Sequence, residues 1–479
     1  MSTLGVRGLL AAALLALGCS EHYRPPRSGW MEVRTPHFVV KTSLPRVQAI
    51  ETADHLERTR AAMLQAAWGR SKGPPSRAEV IVFGRQPEFA RFVDTYIAGE
   101  TRSAPELERL IVFSRDPSVS IPTIASHELA HQLSSWYMPI QPRWLSEGLA
   151  TFLETIRVRN DTQRGTTLCT VGIAPGRSNY LEWQADFDSA KLFQGAGRLA
   201  SDVEAAEGFY AQSWLLVRYL LEEHADAFAA FQRDLAGMMH WRTAFDRSMP
   251  SALRDPQTLN AHLAEYWAAR KQWVVARETI QLERYEPEVR PLSPASVRGM
   301  FSRLALYRRN DAEQQANEAL QLDPTELTAL RTKFYLASTM PERAELAQRA
   351  LAAHPSEVDA WLMTYEASTT EREALAALQQ AIRVDPTHPR VQAALGLAYV
   401  KTNRAKLALP YLRFALHRLA PSERLLGAYI TALAANDRCD LAATIFDGYS
   451  RHERNINRGL LERALIAANH LCTPAAKTP

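Results

Sequence analysis

The chain has 479 residues, and 56 Lys and Arg against 52 Asp and Glu leave a net charge of +4, with 46% hydrophobic and 23% charged residues. At roughly 150 residues per domain this length allows about three domains, which excludes a single small module, and the balance is that of a globular chain. No Lys/Arg block interleaves with aromatics, so the electrostatic footprint of a nucleic-acid binder is missing and nucleic acid is not an expected partner.

Residues 1–18 carry Arg7 and an apolar run from Gly8 to Leu17. A run of about ten residues is too short for a bilayer core, which needs about 20, so a signal peptide is expected. The stretch Ala16-Leu17-Gly18-Cys19 resembles a bacterial lipobox, with Ala16 where Leu is preferred. That resemblance implies cleavage before Cys19, its lipidation, and membrane attachment through the lipid. Simple secretion is the alternative; the chain is exported in both. Ser20, where no Asp follows the cysteine, resembles outer-membrane sorting in many Gram-negative bacteria, so a periplasm-facing lipoprotein of the cell envelope is expected. Residues 19–29 are polar and Pro-rich and suit a tether. No later stretch is long and apolar enough to span a membrane; SWLLVRYLL is broken by Arg218.

From Trp30 to about Thr42 a short β-type run appears, and Pro45 to Ala67 follows with helical periodicity up to Gly69. Ala78 to Phe83 is a second strand candidate, followed by a helix through Phe89 and Phe92, and Arg109 to Ser114 is a third. Three β-branched runs separated by helices predict a small mixed sheet with helices packed on it. Beyond Thr123 the patterns are almost entirely helical.

Residues 127–131 read His-Glu-Leu-Ala-His, with Ser120 as a possible cap and Pro122 in the first turn of the helix. At 100° per residue Leu129, Leu133 and Trp136 share one face, while His127 and His131 lie one turn apart on the other. Two imidazoles so placed suit a tetrahedral Zn²⁺, with Glu128 beside them and not a ligand. Two solvent-facing histidines would look the same. The segment PRWLSEGLATFLET has an apolar stripe of Leu145, Leu149, Phe152 and Leu153, leaving Glu147, Thr151 and Glu154 off that face. Glu147 comes 16 residues after His131, room for a turn and a returning helix. Together His127, His131 and Glu147 make a His₂Glu set with one open position, the pattern of catalytic zinc sites.

With His127, Glu128, His131, Trp144, Leu145, Glu147 and Gly148, the chain resembles the gluzincin metallopeptidases, in particular the peptidase-MA-like group with a WLxEG-type second motif. The resemblance covers about Trp30 to Tyr285, its specific part about 28 residues. It implies one zinc ion per chain, hydrolysis of peptide bonds in a protein or peptide substrate, and Glu128 moving the proton. It departs from thermolysin-like relatives at Thr151, where those carry an Asp that orients a metal-bound His. Gluzincins often recruit a Tyr or His from a later helix to the developing oxyanion. Tyr210 is the candidate here and His224 a weaker one; Tyr210 packing beside Trp214 is the alternative. His37 and His55 are expected to be ordinary surface or packing histidines. The stretch Ser178 to Gly197 is a lid or a plain loop.

Residues 286–297, with Pro287, Pro291 and Pro294, look like a linker. Beyond it NEALQLDP, QRALAAHP, QQAIRVDP and RFALHRLAP end at Pro324, Pro355, Pro386 and Pro421, spaced 31, 31 and 35 residues apart, each with an Ala (Ala319, Ala350, Ala381, Ala415) shortly before. Leu395, Gly396, Tyr399, Ala408, Leu412 and Ala415 resemble one tetratricopeptide (TPR) unit of 34 residues; the 31-residue spacings depart from it. Such helix pairs bury their apolar faces only against the next pair. They form a docking surface for a protein partner, or they pack on the first domain. Among the cysteines, Cys439 and Cys472 are a candidate disulfide in an exported chain, and Cys169 is a buried thiol rather than a ligand.

The expected organisation is therefore a signal peptide (1–18), a lipoprotein tether (19–29), an α+β zincin-like metallopeptidase domain (30–285), a linker (286–297) and an all-α TPR-like solenoid (298–479). The expected function is that of a zinc-dependent peptidase whose repeats recruit substrate or partner. The alternative is a non-catalytic TPR scaffold or assembly lipoprotein with a metallopeptidase-like domain.

Overall fold

The structure is a computed structural model and describes residues 29–69, 73–93, 99–102, 109–114, 121–161, 166–183, 187–195, 203–270, 276–306, 309–452 and 458–472. The signal peptide, Cys19 with nearly all of the tether, and Ser120 lie outside the described residues.

The run from Trp30 folds back on itself as a hairpin: β1 (Met31–Arg34) pairs antiparallel with β2 (Phe38–Thr42). Helix α1 (Arg46–Trp68) ends at Gly69, whose φ of 59° lets its N–H reach the Leu64 carbonyl. Next come β3 (Ala78–Phe83), the one-turn α2 (Gln86–Phe89), β4 (Gly99–Arg102) and β5 (Leu110–Ser114). The helix expected through Phe92 stops at Phe89, and Phe92 instead joins the aromatic core. Helices α3 (Ile121–Tyr137) and α4 (Arg143–Leu153) follow, then β6 (Arg157–Asp161) and β7 (Thr166–Val171). After them come α5 (Tyr180–Trp183), α6 (Ser189–Gln194), α7 (Val203–Glu223), α8 (Ala225–Ala236), α9 (Trp241–Ser248), α10 (Pro256–Ala268), β8 (Ala276–Ile280) and β9 (Glu288–Pro291). The stretch around residue 180 is thus broken into short helices.

Six strands form one sheet in the order β4-β5-β3-β2-β1-β9, with β2–β3 and β3–β5 parallel and the outer pairs antiparallel. Its central strands are apolar on both faces, as strands covered on both sides must be. Val80, Val82, Ile111 and Phe113 face α1 and α3, meeting Ala53, Leu56, Leu129 and Leu133. Ile81, Phe83 and Val112 face the other way, onto Trp30, Phe89 and Phe92 and onto α11 (Pro294–Leu304) through Val297, Met300 and Phe301. A second sheet, β6-β7-β8, is antiparallel and buries Cys169.

Two expectations are corrected here. Among the described residues the chain beyond Thr123 holds four strands, β6 to β9. Strands β6 (RVRND) and β8 (ARETI) interleave their few apolar residues with charges, so no hydrophobic run marks them. The segment read as a linker is structured: β9 pairs with β1 in register Met31↔Pro291, and Pro291 is tolerated because β9 is an edge strand. Ser293 then caps α11, its Oγ accepting from the Ser296 N–H at 3.1 Å, with Pro294 in the first turn.

The rest is a stack of helices: α12 (Arg309–Leu322), α13 (Leu327–Leu336), α14 (Met340–Ala353), α15 (Val358–Ala367), α16 (Glu371–Val384), α17 (Pro389–Lys401), α18 (Ala405–Arg418), α19 (Glu423–Ala435), α20 (Cys439–His452) and α21 (Arg458–Cys472). Ala319, Ala350, Ala381 and Ala415 are all fully buried where helices cross. The turns after α12 and α16 are closed by Asp323 and Asp385, whose carboxylates accept from the N–H of Thr325 (2.9 Å) and Thr387 (2.8 Å). The 31-residue spacings arise because α13 and α15 have 10 residues, whereas α17 and α19 have 13. Cys439 and Cys472 form a disulfide, Cα–Cα 5.8 Å, tying α20 to the end of α21. The array packs on the first domain through α11 on the sheet, through α20, whose Tyr449 and His452 meet His240, and through α18 on the end of α3. There Trp136 meets Phe414 and His417 edge-on, and His417 Nδ1 donates to the Trp136 carbonyl at 2.6 Å. Among the described residues no helix is long and apolar enough to cross a membrane.

Candidate metal centre

Helix α3 is held in the core by Ile124, Leu129 and Leu133, which fixes the opposite face, bearing His127 and His131, towards α4. Helix α4 is anchored by Trp144, 1% exposed and stacked on Phe231, and by Leu145 and Leu149. Gly148 lets α4 lie directly on α7: a Cβ there would come within 2.4 Å of the Ser213 carbonyl oxygen. This close approach sets Glu147 opposite the two histidines and brings Tyr210 of α7 alongside.

The three donor atoms converge. His127 Nε2 and His131 Nε2 are 3.2 Å apart, and Glu147 Oε2 lies 3.3 Å from His131 Nε2 and 3.5 Å from His127 Nε2. Ligand atoms set tetrahedrally around an ion at about 2.0–2.1 Å would be separated by about 3.3–3.4 Å. Glu147 Oε2 is buried and makes no well-aligned hydrogen bond, although both imidazoles approach it, so the oxygen is available as a ligand. Among the described residues these three are the cluster able to hold a metal ion. The donor set therefore fits zinc.

The supporting shell was only partly foreseen. His127 Nδ1 is paired with Glu154 Oε2 at 2.7 Å and His131 Nδ1 with Ser146 Oγ at 2.9 Å, which directs both Nε2 atoms inward. Glu154, buried and also 3.4 Å from Arg177 Nε, takes the orienting part that Thr151 cannot: Thr151 Oγ1 is buried without a partner. Its position seven residues after Glu147, two turns on, was the signal for it. Glu128 is 5% exposed, and Thr101 of the edge strand β4 donates to its Oε2 at 2.7 Å. Tyr210 sits with its ring 6.3 Å from that of His127 and under the Arg177 guanidinium at 4.9 Å, and it also packs against the α7 core. His224 is 14 residues further along and bonds to Tyr219, about 20 Å away down the helix. His37 is paired with Glu57, and His55 reaches the Pro122 carbonyl, so both are structural.

The electrostatics of the site are set by its buried carboxylates and imidazoles. Burial disfavours the His127 cation, but Glu147 and Glu154 outweigh it and push the imidazole up to about 10. Burial likewise opposes the Glu147 charge, yet the histidines hold it well below the carboxylate range. Burial raises Glu128 against the opposing pull of His131, His127 and Thr101. Burial and the Glu147 charge push Tyr210 up to about 12, so it keeps its proton at neutral pH.

Residues 120–239, which contain this site, match a family described as a protein of unknown function (DUF1570). No curated protein matches the chain. Among solved structures, a thermophilic TPR protein of Thermus thermophilus aligns at 21% identity with a TM-score of 0.26, covering 36% of this chain and 96% of that one.

Proposed function

We propose that the chain is a zinc-dependent peptidase of the HExxH gluzincin type, exported and lipid-anchored at Cys19, with the helical array recruiting a protein substrate or partner. The observation that carries this reading is the convergence of His127, His131 and Glu147 to within 3.5 Å of one another, with both imidazoles backed on Nδ1. A bound zinc ion would supply Lewis acidity, acidifying water and polarising a carbonyl. Glu128, with Oε2 held by Thr101, keeps Oε1 free over Gly99, where a Cβ would lie 3.2 Å away. That oxygen takes the proton from the attacking water and passes it to the leaving amine. Tyr210, which retains its proton, donates to the oxyanion. The Cys439–Cys472 disulfide supports the exported setting.

Metal content of the mature chain and of His131→Ala, by mass spectrometry, is the first test. About one zinc per chain, absent from the variant, is expected. Glu128→Gln should then retain zinc while cleavage of a peptide library falls about 10²–10⁴-fold. A wild-type chain that takes up no zinc after incubation with the metal would remove the enzyme reading. The stacked hairpins favour a second one, a protein-binding scaffold. Under it Glu128→Gln would leave the cellular phenotype intact while disruption around Tyr399 would abolish it.

A further inference from the structure

A cavity of about 360 Å³ lies between the six-stranded sheet and the helical array, with Gln132, the residue after His131, and Trp136 of α3 in its wall. Three carboxylates stand in its wall, and all are engaged. Glu79 is bonded to Lys41 at 2.8 Å and to Arg303, Asp359 to Arg390 at 2.8 Å and to Arg331, and Asp385 to its own turn through Thr387.

Arg109, immediately before β5, is different. It lines the same cavity and is partly buried, yet among the described residues no acceptor or carboxylate contacts it. Arg418 shares this wall, its guanidinium lying over Trp136 at 5.3 Å and Phe414 at 5.9 Å. Burial and the like charge of Arg418 push Arg109 down to about 10. A desolvated guanidinium without a counter-charge, as Arg109 is among the described residues, is costly unless an anion completes it.

We propose that Arg109 and Arg418 form a binding site for a phosphate group, carried by a small soluble ligand that fills this cavity. Two planar guanidinium forks match the charge and the several oxygens of a phosphate dianion better than a carboxylate monoanion. The volume is at the lower end for small-molecule sites, about 300–1,000 Å³. The site uses none of the three candidate metal ligands and does not depend on the peptidase reading.

The test is calorimetric titration of the mature chain, expressed without its lipid, with inorganic phosphate and glycerol 3-phosphate at matched ionic strength in chloride. A parallel arm uses phosphatidylglycerol against phosphatidylcholine vesicles. Because phosphate also binds zinc, the titrations are repeated on His131→Ala. Saturable binding that persists in His131→Ala and weakens at least tenfold in Arg109→Gln is expected. Arg109→Gln breaks no hydrogen bond or ion pair among the described residues and should melt no lower than wild type in the absence of phosphate; Arg418→Lys, which keeps the charge without the fork, should weaken binding less. A vesicle response lost in Arg109→Gln, without one to soluble phosphates, would overturn the small-ligand form and assign the pair to a lipid headgroup. No response beyond the chloride control, or one unchanged in Arg109→Gln, would overturn the site altogether.

Discussion

In the helical array Arg390, its side chain 6% exposed, donates to Asp359 at 2.8 Å and to Glu366 at 2.7 Å, and Arg331 reaches Asp359 from the preceding pair of helices. Between α3 and α4, by contrast, two imidazoles and a carboxylate oxygen crowd together without a well-aligned hydrogen bond to that oxygen, and two further carboxylates, Glu154 and Glu128, stand close by. Both regions bury ionisable groups between paired helices, and both rely on a glycine for close approach, Gly396 against Leu412 and Gly148 against Ser213. The array balances its charges internally, so they fix the geometry of successive hairpins. The α3–α4 pair leaves its donors for a cation, which must displace the proton that the carboxylates hold on His127. What separates a structural network from a binding site here is the balance of charge, since burial is similar in both.

Removing one member from each set should break this contrast most visibly. Arg390→Ala leaves Asp359 without its better-buried partner and should cost about 3–5 kcal/mol in denaturant unfolding with zinc content unchanged, whereas His131→Ala should lose zinc and leave the metal-free melting temperature nearly unchanged. A smaller effect tests the second layer of the site: Glu154→Gln should keep the fold and weaken zinc about 10–100-fold by competition with a chelating dye. The two glycines sharpen the comparison further. Gly148→Ala drives a methyl against a backbone carbonyl and should destabilise by about 1–3 kcal/mol, while Gly396→Ala meets the movable Leu412 side chain and should cost less, as thermal melts would record.

The smallest expected effect is on pH dependence. Burial opposes the charge on Asp359 and on Glu79, but Arg331 and Arg390, and Arg303 and Lys41, outweigh it and hold both carboxylates below their usual range. A depressed carboxylate stabilises the fold above its unfolded value, near 4, and that stability is lost as pH falls through the folded value. Melting should therefore fall between pH 5 and pH 2. Asp359→Asn should flatten that slope, and a variant melting with an unaltered slope would remove Asp359 from the account.

The ligands of the candidate site were legible because an i, i+4 pair of histidines and a stripe of leucines each fix a helix face locally. The alanines of the array were legible for the same reason. Glu154 was visible as a carboxylate off the apolar face of α4, but its pairing with His127 depends on how α4 lies across α3, and that is set by Gly148 meeting α7, a contact between elements distant in the chain. Strands β6 and β8 escaped notice because Arg157, Arg159 and Glu278 interrupt their apolar positions. The proline cluster at 287–294 suggested a linker because prolines mark edges and caps as readily as they mark boundaries. That α11 would cover the far face of the sheet could not be read from the periodicity of α11 alone, since an amphipathic helix does not say what it will meet.

The pairing of β1 with β9 bears on how the chain acquires its fold. Met31 and Pro291 sit side by side, so the sheet cannot be completed until about 260 residues have followed its first strand. Contacts of such long sequence separation are slow to form, and β1 waits for β9 over that interval. Throughout it β1 presents an open edge, a template for unwanted strand addition. Glu32, in the middle of that edge, later accepts from Arg290 at 2.9 Å, but until β9 arrives it is a charge on a bare strand. The residue that locks the finished sheet is thus also the one that guards the unfinished one against self-association, a double duty that Glu32→Val would expose as aggregation during refolding.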